Sequence, residues 1–84
     1  MQITWKPLQG SERSRGALPD SVFAFPKERK EPLTDAAHVR SAIARFGAVQ
    51  GVSAAEREAA FANIKAAAGY YGVSVRASNW HDLG

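Results

Sequence analysis

The stretch from Ser53 to Gly72 constrains the fold most, because its start, its buried face and its end can all be read from residues within it. Ser53 is a good N-cap, and Glu56 stands three residues on. Serine oxygen and glutamate carboxylate can therefore each satisfy an amide that a first helical turn leaves orphaned. From Ala54 to Tyr71 nearly every residue favours or tolerates a helix, with Ala59, Ala60, Ala62, Ala66, Ala67 and Ala68 supplying most of the propensity. Gly72 then offers the left-handed position that ends a helix, and Val73 and Val75 follow with strand-like alternation. Between those ends Ala60, Phe61, Ile64, Ala68 and Tyr71 fall on one stripe by three-then-four spacing. Each large side chain on it contributes about 1.5–3 kcal/mol when fully buried. Arg57, Glu58 and Lys65 lie off the stripe and are expected to face water. So much alanine offers little apolar area per turn, and other segments must complete the core.

A second helix is predicted from Thr34. Thr34 is read as its cap, Asp35 places a carboxylate at the positive end of the dipole, and Leu33 can staple the first turn. Ala36, Val39, Ile43 and Phe46 form its buried stripe, with Ala42 beside it, while Arg40, Ser41 and Arg45 face outward. Gly47 or the residues after it end this helix. The short connection from Gly47 to Val52 places the two helices side by side or crossing, and that pair is the expected core.

Ahead of the helices, Ile3 and Trp5 suggest a short edge strand ended by Pro7, which cannot donate to a ladder. Gln9 to Gly16 is polar, glycine-bracketed and aperiodic, and reads as a flexible loop. Val22 to Pro26 reads as an extended arm laid across the helices, anchored by Phe23 and Phe25 on one face with Val22 on the other. Lys27 to Glu31 is read as a solvated charge cluster stopped by Pro32. Val73 to Arg76 is too short for an independent strand, but it can pair with the arm or with Ile3 to Trp5. Ser78 or Asn79 can cap a last turn that folds Trp80 and Leu83 back onto the helices. The fold class expected is mainly α, or α+β if a strand pairing forms. It has a two-helix core, an extended N-terminal arm and a short C-terminal helical turn, all within one small domain over residues 1–84.

Eighty-four residues suffice for one domain, and a chain this short buries only about 60–65% of its unfolded surface. It has no cysteine, so neither a disulfide framework nor a thiolate metal site is available. No N-terminal apolar run is long enough for a signal peptide or membrane span, which leaves a cytoplasmic protein without a membrane partner as the expectation. The net charge of +3 is uneven: residues 1–30 carry six Lys/Arg against three acids, and residues 31–84 carry five against five.

Catalysis needs a nucleophile, base or metal constellation. The sequence offers His38, His81 and the acids Asp35, Glu56, Glu58 and Asp82, most at helix caps or surfaces, with no histidine pair at ligand spacing and no glycine-rich phosphate loop. No catalytic residue, cofactor or metal is assigned. A nucleic-acid reading has more behind it: Lys27, Arg29, Lys30, Arg40 and Arg45 are candidate phosphate contacts, although Glu28 and Glu31 interleave with the first three. Trp5, Trp80, Tyr70 and Tyr71 are read as structural, with Tyr70 on the flank of the stripe and its hydroxyl wet.

Leu18-Pro19-Asp20-Ser21, Phe23-Ala24-Phe25-Pro26, Arg29-Lys30-Glu31-Pro32-Leu33-Thr34-Asp35-Ala36, His38-Val39-Arg40, Ala44-Arg45-Phe46, Ala55-Glu56-Arg57, Ile64-Lys65-Ala66-Ala67 and Tyr71-Gly72-Val73 together carry a resemblance. The string resembles a small bacterial domain family of unknown function that is also met in phage- and prophage-encoded proteins. The resemblance covers about residues 18–83 and implies that arm, helices and tail form one unit. It implies no activity, cofactor or catalytic residue. The expectation is a non-enzymatic protein-binding or adaptor module, monomeric or weakly homodimeric; the alternative is a nucleic-acid-binding module using the basic segment and the exposed face of the first helix.

Overall fold

A computed structural model describes residues 3–7, 18–77 and 80–83. In chain order it runs β1 (Phe23–Phe25), β2 (Lys30–Pro32), α1 (Ala36–Arg45) and α2 (Ala54–Tyr71), with single 3-10 turns at Asp20–Val22, Phe46–Ala48 and Trp80–Asp82. Two helices with a two-stranded antiparallel sheet make a mixed α+β fold rather than a mainly helical one. The expected flexible loop at Gln9–Gly16 and the caps Ser78 and Asn79 lie outside the described residues.

Helix α2 forms as its local signals require. The Ser53 hydroxyl accepts from the Glu56 amide at 3.1 Å and Glu56 Oε1 accepts from the Ser53 amide at 2.9 Å, closing the capping box. At the other end Gly72 takes a φ of +73°, and the Val73 amide reaches back to the Ala68 carbonyl at 2.8 Å. A side chain at that φ is strained, which is why glycine ends the helix there. Helix α1 begins one residue later than expected: Asp35, not Thr34, is the N-cap, its carboxylate accepting from the His38 amide at 2.8 Å. Thr34 is buried instead. The helix ends at Arg45, and Phe46 belongs to the 3-10 turn that follows.

The strand pairing is local. β1 pairs with β2 across the turn Pro26–Arg29, in the register Phe23 with Pro32 and Phe25 with Lys30. The Arg29 amide closes the turn on the Pro26 carbonyl at 3.3 Å, and Arg29 itself adopts a φ of +54°. Lys27 to Glu31 is thus a turn and the start of a strand, because Phe25 on one side and Leu33 on the other pull both flanks into the core. Neither Ile3–Trp5 nor Val73–Val75 is a strand. β2 ends at Pro32, and the Leu33 amide beyond it still donates to the Val22 carbonyl at 2.7 Å, fastening the open end of the hairpin.

Val22, Phe23, Ala24 and Phe25 are all buried, so β1 is covered on both faces rather than showing alternation. It packs on α2, while β2 packs on α1 and the helices pack on each other. Phe25, Val39, Phe46, Phe61 and Ile64 lie in one core, with Ile43, Tyr71, Trp80 and Leu83 half-buried against it. Phe23 is buried as well, beneath the Arg29 guanidinium at 4.8 Å from its ring.

Two side chains depart from the predicted faces of α2. Arg57, expected in water, is half-buried. It donates to the Phe46 carbonyl at 3.1 Å and the Val49 carbonyl at 2.6 Å, satisfying acceptors released where α1 ends. Asn63, which no apolar stripe would include, is only 1% exposed. Its Oδ1 accepts from the amides of Thr4 at 2.9 Å and Trp5 at 3.0 Å. Its Nδ2 donates to Thr4 Oγ1 and to the Ala24 carbonyl, both at 3.1 Å. An asparagine has two acceptor and two donor positions, and here all four are used.

Candidate interaction surface

The Asn63 network fixes the path of residues 3–7, and that path carries Trp5 to the C-terminal end of α2. Trp5 is 8% exposed, and its indole donates to the Leu33 carbonyl at 3.0 Å. Its ring meets Tyr70 edge-on at 5.7 Å and 64°, and Tyr71 at 5.9 Å and 73°. The two tyrosines meet each other at 4.9 Å and 85°. Consecutive helical residues point about 100° apart, so one tyrosine turns inward and the other outward. Tyr71 is half-buried, while Tyr70 is 63% exposed although two rings hold it in place. Ile3, two residues before Trp5, is 53% exposed; these are the exposed large hydrophobics among the described residues. Tyr70 is thus an exposed ring packed edge-on against two others, and Ile3 is an exposed apolar side chain on the segment that carries Trp5. The sequence places Tyr70 on the flank of α2; its partnership with Trp5 has no signal in either segment alone.

The five basic candidates do not form one face. Arg29 is turned back on its own hairpin, paired with Asp20 and donating to the Leu18 carbonyl at 2.7 Å. Lys27 lines a cavity between the hairpin turn and the start of α2. Lys30 and Arg45 do converge: both line one shallow depression with Glu31, Ala48, Val49 and Gln50, and the Lys30 ammonium donates to the Gln50 carbonyl at 2.8 Å. Arg40 is exposed on α1, five residues before Arg45, so the two point in different directions around the helix.

The histidines are held apart by separate partners. His38 Nδ1 lies 2.8 Å from Asp35 Oδ1. The His38 amide, and then its ring, hold the Asp35 carboxyl below the ordinary carboxylate range. His81 stacks on Trp80 at 3.8 Å. Trp80 in turn donates to Glu58 at 3.0 Å and faces the Arg57 guanidinium, so the C-terminal turn is pinned to α2. Among the described residues no three His, Asp or Glu side chains come together as a metal site, and no helix is long and apolar enough to cross a membrane.

One family model matches the chain, described as a family of unknown function (DUF6582), over residues 6–78. No curated protein and no solved structure matches it.

Proposed function

The chain belongs to this family, which brings no activity with it, and from its surface we propose a non-enzymatic protein-binding or adaptor module that docks a protein partner on the Trp5–Tyr70–Tyr71 edge. The observation that carries this reading is Tyr70, widely exposed yet gripped by two rings. An aromatic held in place before binding loses little conformational freedom on docking, and such residues dominate the energetics of protein interfaces. The exposed Ile3 and Lys6 flank Trp5 in the chain, offering an apolar and a charged side chain on the same segment. A bacterial or phage setting is part of the same proposal, on the strength of the sequence resemblance.

Tyr70→Ala removes the edge-on contacts with Trp5 and Tyr71 and is expected to cost about 0.5–1.5 kcal/mol of stability for each aromatic pair lost, leaving the fold intact. It should weaken a specific partner at least about tenfold, a loss of roughly 1.4 kcal/mol. Quantitative capture from the native host, comparing the wild type, Tyr70→Ala and a control Arg40→Ala, checks this. A partner retained equally by all three would exclude the aromatic edge.

A nucleic-acid-binding reading is the alternative, and the convergence of Lys30 and Arg45 in one depression is what favours it. With Arg29 engaged inside its hairpin, the exposed Lys27, Lys30, Arg40 and Arg45 are left to meet phosphates. Four contacts correspond to a salt slope of about −3.6 on duplex DNA. Binding that follows that slope and is lost in a Lys30→Glu, Arg45→Glu double variant would favour this reading; binding indifferent to salt, or none at low salt, would reject it.

A further inference from the structure

Between the hairpin turn, the N-terminal segment and the first turns of α2 lies a cavity of about 170 Å³, with Thr4, Phe25 and Asn63 among its walls and Lys27, Glu28 and Glu56 around it. Glu56 uses Oε1 for the capping box. Its second oxygen, Oε2, is out of solvent and meets no hydrogen-bond donor among the described residues. A buried acceptor without a donor demands an explanation. Glu28, carried on the hairpin turn, lines the same cavity as Glu56, and each carboxyl acts on the other there. Two ionised carboxylates are both acceptors and repel each other, whereas one proton between them makes a short, charge-assisted hydrogen bond.

We propose that Glu28 and Glu56 share one proton and so form an acid-dependent clasp that fastens the β1–β2 turn to the first turn of α2 across this cavity. The electrostatics of the two groups agree with that geometry. The hydrogen bond to Glu56, followed by desolvation and repulsion, pushes the Glu28 carboxyl above the ordinary glutamate range. The same hydrogen bond, with the Ser53 amide second, holds Glu56 below it. The shared proton belongs to the pair rather than to either carboxyl alone. Lys27 is the charged neighbour on the turn and favours the ionised form of both, though weakly. Thr4 from the N-terminal segment and Asn63 from α2 bring no charge.

The direction with pH follows from the two shifts. The Glu28 contribution is complete below the ordinary glutamate range and is lost as pH rises through its raised value. The Glu56 contribution is lost as pH falls through its lowered value, and once Glu28 has lost its proton only the part owed to the Ser53 cap remains. The clasp is closed between the two and open at higher pH, where the carboxylates repel.

Carboxyl-carbon NMR titration of the full chain tests this, with Glu28→Gln and Glu56→Gln as variants that keep size and, at position 56, the cap. In the wild type Glu28 should titrate above the ordinary range and Glu56 below it. In Glu56→Gln an amide donates to Glu28, whose midpoint should then fall below the ordinary range. In Glu28→Gln the donor is permanent, so the melting temperature should stop declining over the pH interval in which wild-type Glu28 loses its proton. A Glu28 midpoint unchanged by Glu56→Gln, or a pH dependence of melting unchanged by Glu28→Gln, would overturn the clasp.

Discussion

Replacing Asn63 with alanine is expected to remove a large part of the stability of this protein. Four hydrogen bonds vanish together, leaving the Thr4 and Trp5 amides, the Thr4 hydroxyl and the Ala24 carbonyl without their asparagine partner. Each buried group left unsatisfied costs about 1–3 kcal/mol, and the part-buried Thr4 groups recover some of that from water. A loss of roughly 3–5 kcal/mol is therefore expected against a total of about 4–12 kcal/mol for a chain of this length. Urea denaturation gives the loss directly. Amide hydrogen exchange localises it: protection at Thr4 and Trp5 should disappear first, because Asn63 is the acceptor for both. Thr4→Val removes one side-chain partner and should cost about 1 kcal/mol. Unchanged protection in Asn63→Ala would mean that the N-terminal segment is held by something other than this network. The same variant also probes the interaction surface indirectly, since Trp5 positions Tyr70.

The second large effect is expected at Phe46. Its ring is 1% exposed, 5.8 Å from Phe25 and 6.2 Å from Trp80, with the Arg57 guanidinium 5.8 Å from its centre. Truncation to alanine removes the transfer energy of a buried phenyl group and leaves a cavity between hairpin, helix end and C-terminal turn, a loss of about 3–5 kcal/mol. Phe46→Leu fills most of that space and should cost less than half as much. Trp80 supplies a second readout. With Phe46 gone it loses one of its two ring neighbours, so tryptophan emission should shift to the red in the native state of Phe46→Ala but not in Phe46→Leu. Equal stability of both variants would show that the space collapses without cost.

These two positions differ in how far the sequence announces them. Phe46 follows Val39 and Ile43 at helical spacing, so its burial is legible even though it sits in the turn after α1 rather than in the helix. Asn63 is placed by the same periodicity between Ala60 and Ala67 on α2, yet a polar residue there reads as solvent-facing unless its partners are known. Those partners lie up to 59 residues away. Arg57 is a similar case: a charged residue in the first turns of a helix reads as surface, and only the approach of the α1 end gives it two carbonyls to hold. At the candidate surface Tyr70 is recognisable as an exposed ring, while its rigidity comes from Trp5, which the chain delivers from the opposite terminus.

What the sequence determines by itself is what a few neighbouring residues can settle among themselves. The capping box of Ser53 and Glu56, the alanine-rich body of α2, its stop at Gly72 and the apolar spacing of α1 all rest on interactions spanning no more than a turn or two. The tertiary structure alone decides the rest. It pairs β1 with its own return strand rather than with either terminus, moves the helix cap from Thr34 to Asp35, and buries Asn63 and Arg57. It also sets Tyr70 against Trp5. The physical reason is that a polar or aromatic side chain has several acceptable local environments. Which one it takes is fixed by the long-range desolvation of its partners, and a linear pattern does not encode that.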